Sequence, residues 1–308
     1  VQSAKSAGEI YRSVVHKMKK LLVTGASGFL GWNICNMARD GWEIYGTVCS
    51  HPIEIGGIHI VKTDLTDFGE LRKLFHEVRP DAVIHTAALS NPNYCQTHKE
   101  ESHKINVDAS VNIAGLCADY KIPCVFTSTD LVFNGLNAPY REEDPVGPVN
   151  TYGEQKVLAE QGMLKRYPDA AICRSALMFG PPGPVSGSFI QPMIKAMEEG
   201  KELRLFTDEF RNPVSAWTAA RGLFLALEKI KGIIHLGGID RISRYDFGGL
   251  LAEVAGYEDA KLIPCLQKDM RMAAPRPSDI TLDSSKAYAL GLRPLTLREE
   301  LKRILGNI

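Results

Sequence analysis

Tyr152 and Lys156 stand four residues apart in the run Asn150-Thr151-Tyr152-Gly153-Glu154-Gln155-Lys156. On a helix that interval is about one turn, so the phenol and the ammonium project from one face. A fixed cation beside a phenol stabilises phenolate and lowers the tyrosine pKa. A tyrosine tuned in this way can pass a proton to or from a carbonyl oxygen near neutral pH. Two further features precede the pair: a glycine turn carrying Gly25, Gly28 and Gly31, and the run Ser128-Thr129-Asp130.

The glycine turn, Thr24-Gly25-Ala26-Ser27-Gly28-Phe29-Leu30-Gly31, directly follows an apolar strand pattern and opens a helical one. In that context the first glycines permit a tight turn and close backbone approach to a pyrophosphate, and Gly31 lets the helix pack on the strand. The unpaired N–H groups of the helix's first turn then face the anion. A dinucleotide is the ligand this arrangement fits; an ordinary β–α turn is the competing reading.

Positioning these residues requires a regular scaffold, and the apolar pattern supplies one. Strand patterns over 21–23, 44–49, 58–61, 82–85, 123–128 and 170–173 alternate with helical ones over 28–39, 67–78, 102–120 and around Tyr152. This predicts an α/β fold with a doubly wound parallel sheet. Beyond Arg174 the stiff loop Gly180-Pro181-Pro182-Gly183-Pro184 breaks the regularity. A dinucleotide-binding domain is therefore expected over 18–175. A smaller, mainly substrate-binding lobe is expected over 176–308, with some segments returning to the first domain. Helices over 188–199, 215–229, 244–255 and 297–304, with strands over 203–206 and 233–236, are expected to cap the sheet's carboxyl edge. Residues 1–17, before Met18, read either as a leader or added segment or as an amphipathic helix with Ile10, Val14 and Val15 on one face.

The 308 residues carry 36 basic and 36 acidic side chains, with no block of like charge. That balance argues against a nucleic-acid surface or a polybasic membrane surface and points to a small-molecule partner. The 7 cysteines form no CxxC pair or Cys/His cluster. They suggest reduced thiols in a cytoplasmic protein and no metal site. No stretch reaches the roughly 18 apolar residues of a membrane-spanning helix.

The GxxGxxG spacing resembles the extended branch of the short-chain dehydrogenase/reductase superfamily, and other pieces follow in the matching order. Asp64-Leu65 looks like the pair that contacts adenine. His85-Thr86-Ala87-Ala88 looks like the segment lining the nicotinamide channel, and Asn106 like the structural asparagine. Within the superfamily the runs 128–135, 140–145 and 152–156, then Arg276-Pro277, Leu282-Asp283, Lys286 and Leu290-Gly291, resemble the dTDP-4-dehydrorhamnose reductases. Those enzymes move a hydride from NAD(P)H to the C4 ketone of a nucleotide-linked sugar. The resemblance implies Thr129 as the hydroxyl that polarises the ketone, Tyr152 as proton donor, and Lys156 as a tuning cation that also grips the nicotinamide ribose. Hydride arriving at a carbonyl carbon generates an alkoxide, which a hydroxyl and a low-pKa phenol would stabilise. Related dehydratases carry an acidic pair at Asp130-Leu131; leucine cannot move a proton, so reduction rather than water elimination is expected.

The end of strand 2, Thr47-Val48-Cys49-Ser50-His51, has no acid for an adenosine ribose, and Ser50 and His51 offer donors to a 2′-phosphate. NADP(H) is preferred on that ground and NAD(H) stays open. Arg211 and Arg276 are candidates for a substrate diphosphate, with a lobe-bridging salt bridge as the alternative for each. Asp130 is expected to make a structural hydrogen bond. The resemblance also implies a homodimer. Two other functions share these residues: nucleotide-sugar epimerisation with retained cofactor, and a cofactor-binding regulatory subunit like the methionine adenosyltransferase β subunit, which resembles the chain at 140–144.

Overall fold

The structure is a computed structural model that describes residues 18–38 and 41–306; the expected leader or helix over 1–17 lies outside them. The first half of the chain alternates strands and helices. It runs β1 (Lys20–Thr24), α1 (Phe29–Met37), β2 (Glu43–Val48), β3 (His59–Lys62), α2 (Phe68–Val78) and β4 (Ala82–His85). Next come α3 (Pro92–Thr97), α4 (Lys99–His103), a π-helical stretch Lys104–Asp108, and α5 (Ala109–Tyr120). β5 (Cys124–Thr129), a 3-10 turn Asp130–Val132, α6 (Thr151–Arg166) and β6 (Ala171–Ser175) complete this half.

The second half is less regular. It contains β7 (Met178–Phe179), α7 (Ile190–Glu198), β8 (Leu203–Phe206), β9 (Phe210–Arg211), β10 (Val214–Ser215), α8 (Ala216–Lys229) and β11 (Gly232–Leu236). β12 (Ile242–Ser243), α9 (Arg244–Ala255), β13 (Leu262–Cys265), α10 (Ser285–Ala289) and α11 (Leu297–Leu305) follow.

Seven strands form one parallel sheet in the order β11-β6-β5-β4-β1-β2-β3. The chain grows from β1 outward to β3, then restarts at β4 on the other side of β1. Strand order therefore reverses between β1 and β4, and the crevice at their carboxyl ends is the switch point where α/β sheets bind ligands. β1 and β4 are apolar and buried along almost their whole length, as strands covered on both faces must be.

Helices cover both faces. α2, α5 and α6 pack one side through Leu71, Phe75, Ile113, Leu116, Ala159 and Met163. α1 packs the other with α8 and α10, through Ile34, Leu223 and Ala287. α8 and β11 are thus part of the main sheet's layers, and are among the segments that return to the first domain. Small residues explain the placement: Ala216, Ala219, Ala220, Gly222 and Ala226 let α8 lie close to the sheet and α1. At Gly222 an added Cβ would sit 2.8 Å from the Leu236 side chain on β11.

The second lobe is held by short strand pairs, β10 with β7, β12 with β9 and β13 with β8. Its own core joins α7, α9 and α11 around Phe179, Met193, Phe247, Leu251 and Leu301. The helix expected over 102–120 starts earlier and contains the π-helical stretch around Asn106, which is fully buried. Its amide accepts from the Leu89 N–H at 2.9 Å and donates to the Leu89 carbonyl at 3.0 Å and Gln155 at 2.9 Å. The irregular turn thus lets one side chain fix the loop after β4 against α6.

Candidate functional site

A cavity of about 740 Å³ opens over the carboxyl ends of the sheet, between it and the second lobe. Most residues assigned above to cofactor, carbonyl or substrate line it, from Gly25, Gly28 and Gly31 through Ser50, His51, Asp64, Leu65 and Thr86-Ala87-Ala88 to Thr129, Tyr152, Lys156, Arg211 and Arg276; His85 is the exception.

The floor at one end is backbone. Gly25 adopts φ of 71°, and a Cβ there would come within 2.8 Å of the Ala87 Cα. At Gly31 a Cβ would lie 2.2 Å from the Gly25 carbonyl oxygen, so only glycine allows α1 to begin this close to β1. Gly28 caps α1 without a side chain, and the first turn holds no acidic residue. Its amide end is left to an external anion. β2 approaches the same turn: the Thr47 hydroxyl accepts from the Gly25 N–H at 3.2 Å, and its carbonyl from Ala26 at 2.8 Å.

At the rim Ser50 and His51 are exposed, as is Asp64. Asp64 accepts from the N–H and hydroxyl of Thr66 at 2.9 and 2.7 Å, a local turn, while Asp67 caps α2. Leu65 beside it is buried. His85 does not reach the cavity. It is buried between the Thr24 hydroxyl at 2.6 Å and Ser110 at 2.9 Å. Burial, with Lys156 nearby, holds its pKa down at about 3, so it is neutral and structural.

α6 carries the Tyr152/Lys156 pair, and its start is fixed from two sides. Asn150 caps the helix by accepting from the Gly153 N–H at 2.9 Å, and its amide donates to the Pro275 carbonyl at 3.1 Å. Gly153 lies against the turn after β5; a Cβ there would meet the Leu131 carbonyl oxygen at 2.2 Å. This glycine, which the sequence reading passed over inside its own motif, lets Tyr152 sit beside Thr129's turn. The Thr129 hydroxyl accepts from the Leu131 N–H at 3.2 Å and donates to Asp130 at 3.1 Å, so Thr129 caps that turn while facing the cavity.

Lys156 is buried, donates from Nζ to the Thr127 carbonyl at 2.6 Å, and lies 3.8 Å over the Phe126 ring. Burial lowers its pKa to about 7, against an opposing pull from Glu160 one turn on. The Tyr152 phenol is raised above its ordinary value by burial, with Cys95 and Asp130 adding to the effect. This corrects the expected downward tuning: in the protein itself desolvation outweighs any help from the lysine. Glu160 is itself bound by Arg174, with Nη2 at 2.8 Å, and by Ser128, a buried cluster behind β5.

Asp130 and Arg211 form a buried ion pair at 2.8 Å between the sheet and the second lobe. Arg211 also reaches Glu209 at 3.2 Å, so of its two expected roles the structure displays the bridge. Burial raises the Asp130 pKa and Arg211 opposes the rise. Arg276 is set on the same wall of the cavity, and so are Glu209 and Arg244, which no motif marked. For Arg244 the available signal was the serine cap at Ser243, which opens α9.

Among the described residues no helix is long and apolar enough to cross a membrane. The chain is 30% identical over 286 residues to the probable low-salt glycan biosynthesis reductase Agl14 of Haloferax volcanii, covering 91% of this chain and 95% of that protein. It is 27% identical to the methionine adenosyltransferase 2 subunit beta of Danio rerio, over 89% of this chain and 85% of that one. The crystal structure of dTDP-4-dehydrorhamnose reductase from Bacillus anthracis in complex with NADP superposes with a TM-score of 0.85 at 21% identity. That match covers 95% of this chain and 100% of the other, a likeness of fold. The RmlD substrate binding domain family matches residues 18–308, which takes in the sheet, the cavity and the second lobe together, and the chain belongs to that family.

Proposed function

We propose that this protein is a nicotinamide-dependent reductase of a nucleotide-linked keto sugar, working at C4 and preferring NADP(H). The observation that carries the reading is the meeting of Thr129, Tyr152 and Lys156 in one cavity with the glycine cradle. The cradle fits a dinucleotide: Gly25 and Gly31 leave room where any Cβ would collide, and α1's amide end has no internal acid. Ser50 and His51 would meet the adenosine ribose or its 2′-phosphate, and Asp64 and Leu65 the adenine side of the rim.

A bound nicotinamide would supply the hydride. The chain's part is to orient the ketone and to hold a proton at its oxygen. Thr129 supplies a hydroxyl at the carbonyl, and Tyr152 the proton. An alkoxide is a stronger base than phenolate, so Tyr152, which stays protonated across neutral pH, would still give up its proton although burial raises its pKa. Lys156 would offer its ammonium to ribose hydroxyls. Leu131 is apolar and lines the cavity where an elimination would need a second acid. The likeness to Agl14, called a glycan biosynthesis reductase, supports the same class.

The decisive measurement is oxidation of NADPH and NADH by purified protein with dTDP- and UDP-linked 4-keto sugars. Steady consumption with one of them is expected; a tightly held cofactor with none consumed would replace reduction by epimerisation. A second reading, a cofactor-binding regulatory subunit, is favoured by the likeness to the methionine adenosyltransferase subunit. A stable complex with a second enzyme on gel filtration, with no oxidation of either nucleotide, would establish it.

A further inference from the structure

Residues 180–188 link β7 to α7 and contain Pro181, Pro182 and Pro184, so the loop holds a narrow range of backbone shapes. Its base is tied to itself. The Gln191 amide donates to the Gly180 carbonyl at 2.8 Å, and its oxygen accepts from the Ser188 N–H at 2.6 Å and hydroxyl at 2.9 Å. Nearer the tip the Gly183 N–H donates to the Ser186 carbonyl at 2.7 Å. The loop is therefore a preformed unit, and its tip rests on α1 in the other half of the molecule.

Polar and aromatic contacts make that seat. The Ser186 hydroxyl donates to the Ser27 carbonyl at 2.8 Å, and the Asn33 amide donates to the Pro181 carbonyl at 3.2 Å. Gly183 lies so close to Trp32 that an added Cβ would be 2.9 Å from the indole Cγ. The Ser27–Gly28 peptide is thereby held at both ends, because the Gly28 N–H donates to the Gly25 carbonyl at 2.9 Å. Directly after it come Phe29 and Leu30, whose N–H groups belong to the amide end of α1. Gly187 and Ser188, next to Ser186, line the same cavity as Gly28, Phe29 and Leu30. An anion on the amide end of α1 thus lies in a cavity walled by the very loop that fixes the peptide preceding those amides.

We propose that residues 180–188 latch the dinucleotide in place, with Ser186 as the positioning residue that acts through the Ser27–Gly28 peptide, and that the cofactor leaves when the loop lifts from α1. The inference rests on the dinucleotide reading above and adds to that site a contribution from the second lobe. Two neutral hydrogen bonds and one aromatic contact are few enough to break as a unit, while the ties through Gln191 keep the loop in shape for redocking. Opening of this kind needs neither unfolding of the lobe nor separation of Asp130 from Arg211.

The test is stopped-flow release of NADPH or NADH, followed as loss of bound-nucleotide fluorescence on adding excess oxidised nucleotide. Ser186→Ala should speed release by about three- to tenfold, the effect of one hydrogen bond, and Ser186→Ala combined with Asn33→Ala should speed it further. Ser186→Thr, which keeps the hydroxyl, should release close to the wild-type rate. Affinity for adenosine 2′-monophosphate, which carries no phosphate on its 5′ side, and the melting temperature should stay near wild type. Equal release rates in Ser186→Ala and wild type overturn the latch and leave the dinucleotide site standing. Faster release that comes only with a matching drop in melting temperature overturns it too, since the bond then merely holds the lobe. A wild type that binds neither NADPH nor NADH removes the dinucleotide reading and the latch together.

Discussion

The two ends of the cavity are built by different means. The glycine end is a backbone surface, shaped by Gly25, Gly28 and Gly31 and by the bare amide end of α1. The arginine end is a side-chain surface in which Asp130, Glu209 and Arg211 pair across the two lobes. A backbone surface is marked by glycines close together in sequence and tolerates no added atoms, even where its neighbours, Ala87 and Thr47, are distant. A charged side-chain surface depends on residues 81 positions apart, Asp130 and Arg211, being brought together and desolvated as a pair.

Between the two ends lies the chemistry, and removing it should give the largest effect. Tyr152→Phe keeps the aromatic packing and deletes the proton, so turnover of the keto sugar should fall by about 10²–10⁴-fold. NADPH affinity, read by fluorescence titration, should stay within a few-fold; undiminished turnover would sink the assigned role.

The arginine end should fail next. Asp130→Ala leaves Arg211 buried beside Glu209 alone, and losing one partner of a buried pair costs about 3–5 kcal/mol. Urea denaturation should show it as a lower midpoint. Replacing both partners, as Asp130→Leu with Arg211→Met, should be much milder, and if the double variant is worse than the single the bridge is not the source.

The glycine end sharpens the contrast. Gly31→Ala puts a Cβ against the Gly25 carbonyl, and overpacking of this kind costs about 1–3 kcal/mol. Dinucleotide affinity should fall with it while dTDP binding at the far end is spared. Loss of both together would mean that the ends are not separable.

The last effect is a pH dependence. The Lys156 pKa falls from 10.5 unfolded to about 7 folded, so between those values the unfolded chain holds the extra proton. Stability from this group therefore rises with pH through that window, and its burial penalty is fully present below it. The melting-temperature advantage of Lys156→Met over wild type should shrink as pH rises from about 7 towards 10.5. An offset independent of pH would contradict the shifted lysine.

What could be read in the sequence follows the same division. The strand and helix alternation, the glycine turn and the Tyr152/Lys156 pair are local patterns, and β4 and α9 occupy the expected residues. Asn91-Pro92 did carry the signal for α3, an asparagine cap followed by proline in the first turn, but six residues left too little periodicity to weigh. The placement of α8 and β11 was not legible, because a small-residue helix reads alike on a lobe or on a sheet. The direction of the Tyr152 pKa depends on burial, which spacing does not encode.

The chain's route between its halves has a consequence for how such a protein can vary. After β6 it leaves for the lobe, returns as α8 and β11, leaves again, and comes back as α10 before ending on α11. The Thr218 hydroxyl on α8 donates to Glu300 on α11 at 2.6 Å, a buried stitch across the seam. Cutting after Ser175 would strip the sheet of its outermost strand and uncover the apolar side of α1. The upper half is therefore not a cassette to be exchanged whole: new specificities must be reached by rewriting loops in place, one excursion at a time.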